Sequence, residues 1–496
     1  MNDKAVLENL INGCESEQLH LSGAIQSFGA MLRIDAETLT VTHASANLKE
    51  FVDVAVDDIL GRSINETNWL SSHSFLRLPE QPGKTLALPR VMENETGRID
   101  ALLIRGKGCI IVEVERNNIP AEPIAIHQYQ RPLMVPPHDL DELEEYHQVL
   151  LQAFHAVTGF DRIMIYRFKE DWSGEVVAES TAPEMGSYLG LNFPASDIPA
   201  IARNLYMINP ARMIPDTRAP VIPVIGLGID LPDLTWSDLR SVSPVHLQYL
   251  ANMGVAASFS VPIRVAGKLW GLVACHHQRP IALSPDQRNV CVALSNAYAL
   301  GLTSHLASRR LQMLDSLERR IDRVLEAISE FKDPLDGIET NGQVLMAAMA
   351  AQGFAMALRS DVVIAGDGPD LDGLAEIDDW FLNECKASIF HTDHLVDIFP
   401  EQHAVLLVAS GMMAVKARSQ RSGWVRFYWF RPAEPQEMVW AGNPNKPVVE
   451  NAGAIALSPR RSFERWVETK TDYSRAWSNE ERMIASKFRN NLLRWL

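Results

Sequence analysis

The chain has 496 residues, which at roughly 150 residues per domain suggests about three domains and excludes a single small module. Hydrophobic residues make up 47% and charged residues 22%, ordinary globular usage that argues against wholesale disorder. Lys and Arg number 46 against 62 Asp and Glu, a net charge of -16, which speaks against a chain-wide attraction to nucleic acid or anionic lipid.

The N-terminus, MNDKAVLENLINGCE, lacks the apolar core of a signal peptide. The five cysteines (Cys14, Cys109, Cys275, Cys291, Cys385) are scattered without CxxC pairing, as expected for a cytoplasmic, reducing location. From residue 1 to about residue 123, short strand-like runs (AMLRID, LTVTHAS, DALLIRG, CIIVEVER) alternate with turn-forming Gly, Asp and Asn, which predicts an α+β domain. PLMVPPHDLDELEE then reads as a proline-rich linker into a helix over 140–157. After it, IMIYRF, EVVAES, SFSVPIRV and LWGLVACHH predict a second antiparallel sheet with flanking helices, ending near Pro280.

Ser284 as N-cap with Pro285 at the first position opens one long helix to about Phe331. Its stripe is Leu302, Leu306, Leu311, Leu314, Leu317, Ile321, Val324 and Ile328. Such a helix bridges two domains and pairs with a second copy across a dimer seam. The apolar run 344–358 is too short for a membrane span and is read as a buried helix. The third region, from about Asp333, mixes strands (DVVIAG, AVLLVAS, GWVRFYWFRP) with helices. It closes on a helix over 479–496, with Met483, Ala485, Phe488, Leu492 and Leu496 on one face. There is no solenoid repeat, and GxxxxGK[ST], GxSxG, HExxH and the kinase glycine loop are all missing.

The densest unusual stretch is NFPASDIPAIARNLY, Asn192 to Tyr206, where prolines bracket Ser196, Asp197 and Ile198 before a helix starting near Ala200. Taken alone, the bracketed Asp reads as a helix cap. Arg212 and Arg240 are guanidinium forks suited to carboxylates, or ordinary surface arginines. Ser258 and Ser260 lie two apart on a strand, so both hydroxyls face one side. His276 and His277 point to opposite faces, against a shared metal. With His246, Tyr249 and the aromatics, these residues suit a flat, amphipathic ligand carrying carboxylates.

The spacing resembles the photosensory core of bacteriophytochromes, a PAS, GAF and PHY array that binds a linear tetrapyrrole. The resemblance rests on six motifs in order: Cys14 six residues before His20 with Gly23, Ile25, Gln26 and Gly29; PASDIP; SPVHLQYLANMG; LWGLVACHH; WAG from Trp440; and PRRSF from Pro459. Ser22, Ser27 and Phe28 depart from that pattern, which has prolines and a histidine there. The implied fold class is α+β, three tandem domains with antiparallel sheets joined by a long connecting helix. The implied domains are a PAS domain over 1–125, a chromophore-binding GAF domain over 132–305, a connecting helix over 306–332, and a PHY domain over 333–496 with a tongue hairpin at about 423–467.

The resemblance also implies roles. Cys14 would hold biliverdin by a thioether, since Val245 stands where other phytochromes carry their attachment cysteine. Ile25 belongs to the attachment segment. Arg212 and Arg240 would hold one propionate; Ser258, Ser260 and Tyr206 would serve the other. His246 and the main chain at Asp197 would face the pyrrole nitrogens, Ile198 would belong to the same cofactor site, Tyr166, Phe193 and Tyr249 would wall the terminal ring, and His276 would hydrogen-bond its carbonyl. Arg460 and Ser462, with Trp440, would form the tongue switch, exchanging partners at Asp197. The implied function is red/far-red sensing by a homodimer that binds no metal, nucleic acid or membrane. It would not be an enzyme, with an output domain such as a histidine kinase or diguanylate cyclase in the parent protein. The alternative is a PAS/GAF sensor of haem, flavin or a cyclic nucleotide.

Overall fold

The protein is described here by a computed structural model covering residues 18–71, 73–94, 97–117, 126–331, 334–358, 361–400, 407–419, 423–444, 448–451, 454–457 and 462–495. Cys14 and Arg460 lie outside the described residues. The chain divides into two compact units, Met1–His305 with Val439–Trp466 and Leu306–Met438 with Val467–Leu496.

The first unit contains two sheets. One is built from β1 (Ala24–Gln26), β2 (Gly29–Asp35), β3 (Val41–Ser45), β4 (Thr85–Asn94), β5 (Gly97–Arg105) and β6 (Cys109–Arg116). Its order, β1-β11-β3-β2-β6-β5-β4, includes β11 (Val221–Gly226), a strand supplied from the second sequence region. Sequence reading found neither β4 nor β11. β4 carries Pro89, a bulge between Leu88 and Met92, and Arg90 at φ 53°; as the outermost strand it tolerates the missing donor. β11 contains Pro223 and alternates poorly, and only its distant partners make it a strand: Ile25 faces Ile222, and Val224 faces Ser45. β1 is held on its other side too, with Gln26 N donating to Leu239 O at 2.8 Å and Ser241 N to Ala24 O at 3.1 Å.

The second sheet uses β7 (Arg162–Phe168), β8 (Gly174–Thr181), β9 (Asn192–Phe193), β10 (Arg212–Ile214), β12 (Ala257–Val265) and β13 (Lys268–His277). Alternation along these strands separates two faces. Ile163, Ile165, Phe259, Val273 and Cys275 pack against the helix Leu140–Thr158 and the start of the long helix. The intervening residues face a cavity. A short helix, His127–Leu133, with Pro132 near its end, runs into the start of the expected linker. Asp139 then caps Leu140–Thr158 by accepting Glu142 N at 2.8 Å, and Gly159 at φ 65° ends it.

The long helix runs from Pro285 to Ser329. Its start is a capping box: Ser284 Oγ accepts Gln287 N at 3.3 Å, and Gln287 Oε1 accepts Ser284 N at 3.0 Å. Among the described residues it is the one helix long and apolar enough to cross a membrane, and Leu294, Tyr298, Leu302, Leu317, Ile321, Val324 and Ile328 are buried in domain cores. Most of the stripe is thus covered by the chain's own domains.

The second unit centres on a sheet of β14 (Gly353–Leu358), β15 (Asp361–Gly366), β16 (Ile389–Thr392), β17 (Gly411–Ser419) and β18 (Gly423–Arg431), in the order β15-β14-β18-β17-β16. One face packs on the later long helix and on Asn479–Trp495 through Phe488, the other on Leu371–Asn383 through Leu374, Ile377 and Phe381. The apolar run 344–358 is not one helix. Gly342–Ala348 is helical, Ala350 turns the chain at φ 46°, and GFAMAL is strand β14. Buried on both faces between two neighbouring strands, it shows no alternation, so periodicity cannot separate it from a buried helix. In AVLLVAS the described part, Leu407–Ala409, is a 3-10 turn, and the strand begins after it at Gly411.

β19 (Gln436–Ala441) follows, then a ribbon of β20 (Val448–Asn451) and β21 (Ala454–Leu457), then β22 (Arg465–Lys470). β9 pairs in parallel with β19 where Asn192 meets Trp440. The segment that folds with the first unit begins at Val439, whereas β18, which sequence reading gave to the tongue, belongs to the second unit's sheet.

Candidate functional site

A cavity of about 260 Å³ lies on the free face of the second sheet, closed by the helices Ala200–Ile208 and Pro244–Asn252. Met164 and Tyr166 reach it from β7, Ser258 and Ser260 from β12, and Leu272, Ala274 and His276 from β13. Phe193, Asp197, Ile198, Tyr206, Arg212, Arg240, His246 and Tyr249 complete the sequence-predicted residues brought together there. Ile25 is not among the lining residues: it is fully buried in a neighbouring core with Met31, Ile104 and Leu239. Leu19, which follows Cys14 closely in sequence, does border the cavity.

The prolines act as expected at the Asp197 turn. Ala195–Asp197 forms a 3-10 turn closed by Asp197 N donating to Pro194 O at 3.0 Å, and Pro199 precedes the helix Ala200–Ile208. Tyr249 OH donates to Asp197 Oδ2 at 3.0 Å, a tie within the turn that sequence did not reveal. The Tyr249 ring stacks near His246, centroids 6.1 Å apart, and meets Phe463 edge-on at 5.1 Å. His246 presents ring surface to the cavity, yet burial, with Arg212 nearby, pushes its pKa down to about 4. It is therefore a neutral hydrogen-bonding group at pH 7.

Arg212 and Arg240 show the strongest electrostatic demand. Arg240 is 5% exposed and donates to the Leu234 and Thr235 carbonyls at 3.3 and 3.1 Å. Arg212 donates to Asp238 O at 3.2 Å and Ser241 O at 3.0 Å. Among the described residues neither is within ion-pair distance of a carboxylate. Burial, then the mutual repulsion with Arg212, pushes Arg240 down to about 9. Asp238 favours both cations from beyond ion-pair distance, and the buried Arg240 with the half-buried Arg212 beside one cavity still favours anionic groups on whatever fills it.

Next to Arg212, its cross-strand neighbour Ser260 shares through Oγ a hydrogen bond of 2.8 Å with Tyr206 OH, and Ser258 lies further along the same strand. His276 is 7% exposed, its pKa is pushed by burial to about 3, and its Nδ1 has no hydrogen-bond partner among the described residues. His277, on the other face, pairs with Asp161 at 2.7 Å. Tyr166 and Phe193 form an aromatic wall, centroids 5.9 Å apart. Trp440 is 8% exposed at the bridge to Asn192. Ser462 does not line the cavity; with Phe463 and Glu464 it borders an open groove against Met185–Leu191.

Sequence reading gave Gln26 only as part of the attachment motif, and it missed Glu113. Gln26 Nε2 donates to Met213 O at 3.0 Å and Arg240 O at 3.3 Å. Glu113 accepts from the Ser237 hydroxyl and from Leu239 N, holding the strap that carries Arg240. Two acids two apart in CIIVEVER were the available signal, because a buried strand face carries acids only with partners. Two arginines, an orphaned neutral histidine nitrogen, paired hydroxyls and an aromatic wall fit a flat, carboxylate-bearing ligand with polar ring groups.

The phytochrome region family matches residues 317–496, the GAF domain family 142–302 and the PAS fold family 14–117. Cyanobacterial phytochrome B of Nostoc sp. is 32% identical over 97% of this chain and 66% of its own length. A bacteriophytochrome of Xanthomonas campestris is 31% identical over 94% of this chain and 75% of its own length. The chain spans 66%, 65% and 64% of three cyanobacterial relatives. Among solved structures, a bacteriophytochrome from R. palustris superimposes with a TM-score of 0.80 at 29% identity, covering 97% of this chain and 98% of that one. The Stigmatella aurantiaca photosensory core module gives 0.79 at 29% identity, covering 97% of each chain. The chain belongs to the phytochrome family of red/far-red photoreceptors and carries its PAS, GAF and PHY domains in that order.

Proposed function

We propose that this chain senses red and far-red light with biliverdin seated in the cavity and joined to Cys14. The observation that carries this reading is the pair of arginines, buried Arg240 and half-buried Arg212, lining a cavity with no protein carboxylate in ion-pair range of either among the described residues. When bound, the bilin supplies light absorption and double-bond isomerisation; the protein supplies geometry and field. Arg212 and Arg240 hold one propionate, and Ser258, Ser260 and Tyr206 the other. The main chain at Asp197 and neutral His246 accept from the pyrrole nitrogens and favour their protonated form, with Ile198 packed beside them. Tyr166, Phe193 and Tyr249 bound the space of the terminal ring, and His276 Nδ1 is available to its carbonyl. Val245, without a thiol, leaves Cys14 as the nucleophile, and Leu19, close after it in sequence, borders the cavity.

Arg460 and Ser462 exchange at Asp197 as the tongue changes between strand and helix, with Trp440 at its root. The long helix pairs two copies in the cytoplasm and relays the change to an output domain of the longer parent protein. Mixing the protein with biliverdin should give a reversible red/far-red difference spectrum, with zinc-enhanced bilin fluorescence surviving denaturation in the parent and lost in Cys14→Ala. No photoreversible band, or a spectrum obtained only with haem or flavin, would sink the reading; fluorescence persisting in Cys14→Ala would place the bond elsewhere.

A further inference from the structure

The turn joining β7 to β8, Lys169 to Ser173, touches both the Asp197 turn and the tongue root. On one side, the Arg203 guanidinium lies over the Trp172 ring, 4.6 Å from its centroid. Arg203 sits in the helix Ala200–Ile208 and reaches back, Nη1 donating to Ile198 O at 2.5 Å and Ala195 O at 3.5 Å. It thus clamps the two carbonyls that flank Asp197. On the other side, Lys169 Nζ donates to Asn192 Oδ1 at 2.6 Å, and Asn192 Nδ2 donates to Val439 O at 2.9 Å, beside the Asn192–Trp440 bridge.

Trp172 is unusual for a turn platform. It is 43% exposed and holds φ at 64°, a left-handed conformation that a bulky residue adopts only when its surroundings impose it. Those surroundings are visible. Asp171 Oδ1 accepts from Ser173 N and Oγ at 2.9 and 2.6 Å, Lys169 N donates to Ser173 O at 2.7 Å, and Trp172 N donates to Lys169 O at 3.1 Å. Phe168 meets the Trp172 ring at 5.9 Å and Tyr166 at 5.3 Å, extending the contact to the cavity wall. A solvated tryptophan gains little from burial in this pose, so its stacking on Arg203 is what the turn's geometry secures.

We propose that the Lys169–Ser173 turn is a coupling element, with Arg203 as the positioning residue for the Asp197 turn, Trp172 as its platform, and Lys169 as the tie to the tongue root through Asn192. It biases the same two-state tongue as the Asp197 exchange, by a separate route. Only its second readout rests on the bilin reading.

The first readout is amide hydrogen exchange of this 496-residue chain without chromophore. Trp172→Ala and Arg203→Ala should raise exchange in residues 195–198 by about tenfold, while Trp172→Phe, which keeps an aromatic face, restores most of the protection. Lys169→Met should raise exchange at 195–198 as well as at 439–442. The second readout is the pH at which the bound bilin's red band bleaches, which should fall in Arg203→Ala and recover partly in Arg203→Lys. Parent-like exchange at 195–198 in Trp172→Ala and Arg203→Ala overturns the positioning role. An effect of Lys169→Met confined to 439–442 overturns the coupling. If the parent itself takes up no bilin, the light-sensing reading fails, and exchange still decides the inference.

Discussion

Glu113 shows how far one buried carboxyl reaches. It is 1% exposed, and its acceptor oxygens hold Ser237, Asp238 N and Leu239 N. Leu239 O in turn receives Gln26 N, so β1, the strap and Arg240 are set by one side chain. Burial first, then the charge of Asp238, raises the Glu113 pKa well above the carboxylate range. Asp238 is raised as well, but Arg288, Arg212 and Arg240 favour its ionised form, so the proton resides on Glu113. Because the folded form holds this proton more tightly than the unfolded chain, its stabilising effect is complete below the ordinary value of 4.5 and is lost as pH rises through the folded value. Glu113→Gln retains an acceptor for Leu239 N and cannot ionise. Between about pH 6 and about pH 9, the parent's urea midpoint should fall more steeply than that of the variant. Parallel midpoints would mean that Glu113 is already ionised when folded.

The strands of the second sheet shape the cavity through a residue with no side chain. A Cβ on Gly174 would lie 1.8 Å from Tyr166 Cζ and 2.0 Å from its hydroxyl, so the ring occupies the space that glycine leaves. Gly174 stands opposite both Phe168 and Phe193, and Tyr166 fits between those two rings. Gly174→Ala should therefore push Tyr166 toward the cavity, cost about 1–3 kcal/mol in denaturant unfolding, and shift the absorption of bound biliverdin. An unchanged midpoint and spectrum would show that the ring is free to move elsewhere. Legibility in the sequence followed how local the cause of each feature was. LWGLVACHH and SFSVPIRV alternate, so strand, face and the placing of Ser258, Ser260 and His276 could all be read. PASDIP carried its turn in its prolines. GFAMAL could not be read as β14 because burial on both faces erases alternation, and VIPVIG becomes β11 only through β1 and β3. Ile25 was placed near the ligand by its neighbours in sequence, whereas its strand turns it into the core. Phe463, Glu113 and Arg203 join the site by contacts that no local spacing encodes.

At the scale of the molecule, the open question is what the long helix does with the apolar surface its own domains leave bare. The buried part of the stripe, Leu302 and then Leu317, Ile321, Val324 and Ile328, belongs to two cores. Leu300 remains 73% exposed and Leu311 67% exposed, with Leu306 at 38%. Leu300, Ser304, Ala307 and Leu311 follow one another at steps of four, three and four, so they form one narrow face with small residues at its centre, and all four are exposed. A narrow face of this period is the geometry by which two helices meet along a seam, and small central residues allow close approach. Arg310 lies to one side of it, which favours a partner helix aligned to keep the two copies of this cation apart. A second copy of this chain is the partner proposed above. Sedimentation at micromolar concentration should show a dimer, and Leu300→Lys with Leu311→Lys should give a monomer with unchanged circular dichroism and unchanged biliverdin uptake, because neither residue lines the cavity. A parent that sediments only as a monomer would remove the dimer, and a double variant that remains dimeric would move the seam to another face of the helix.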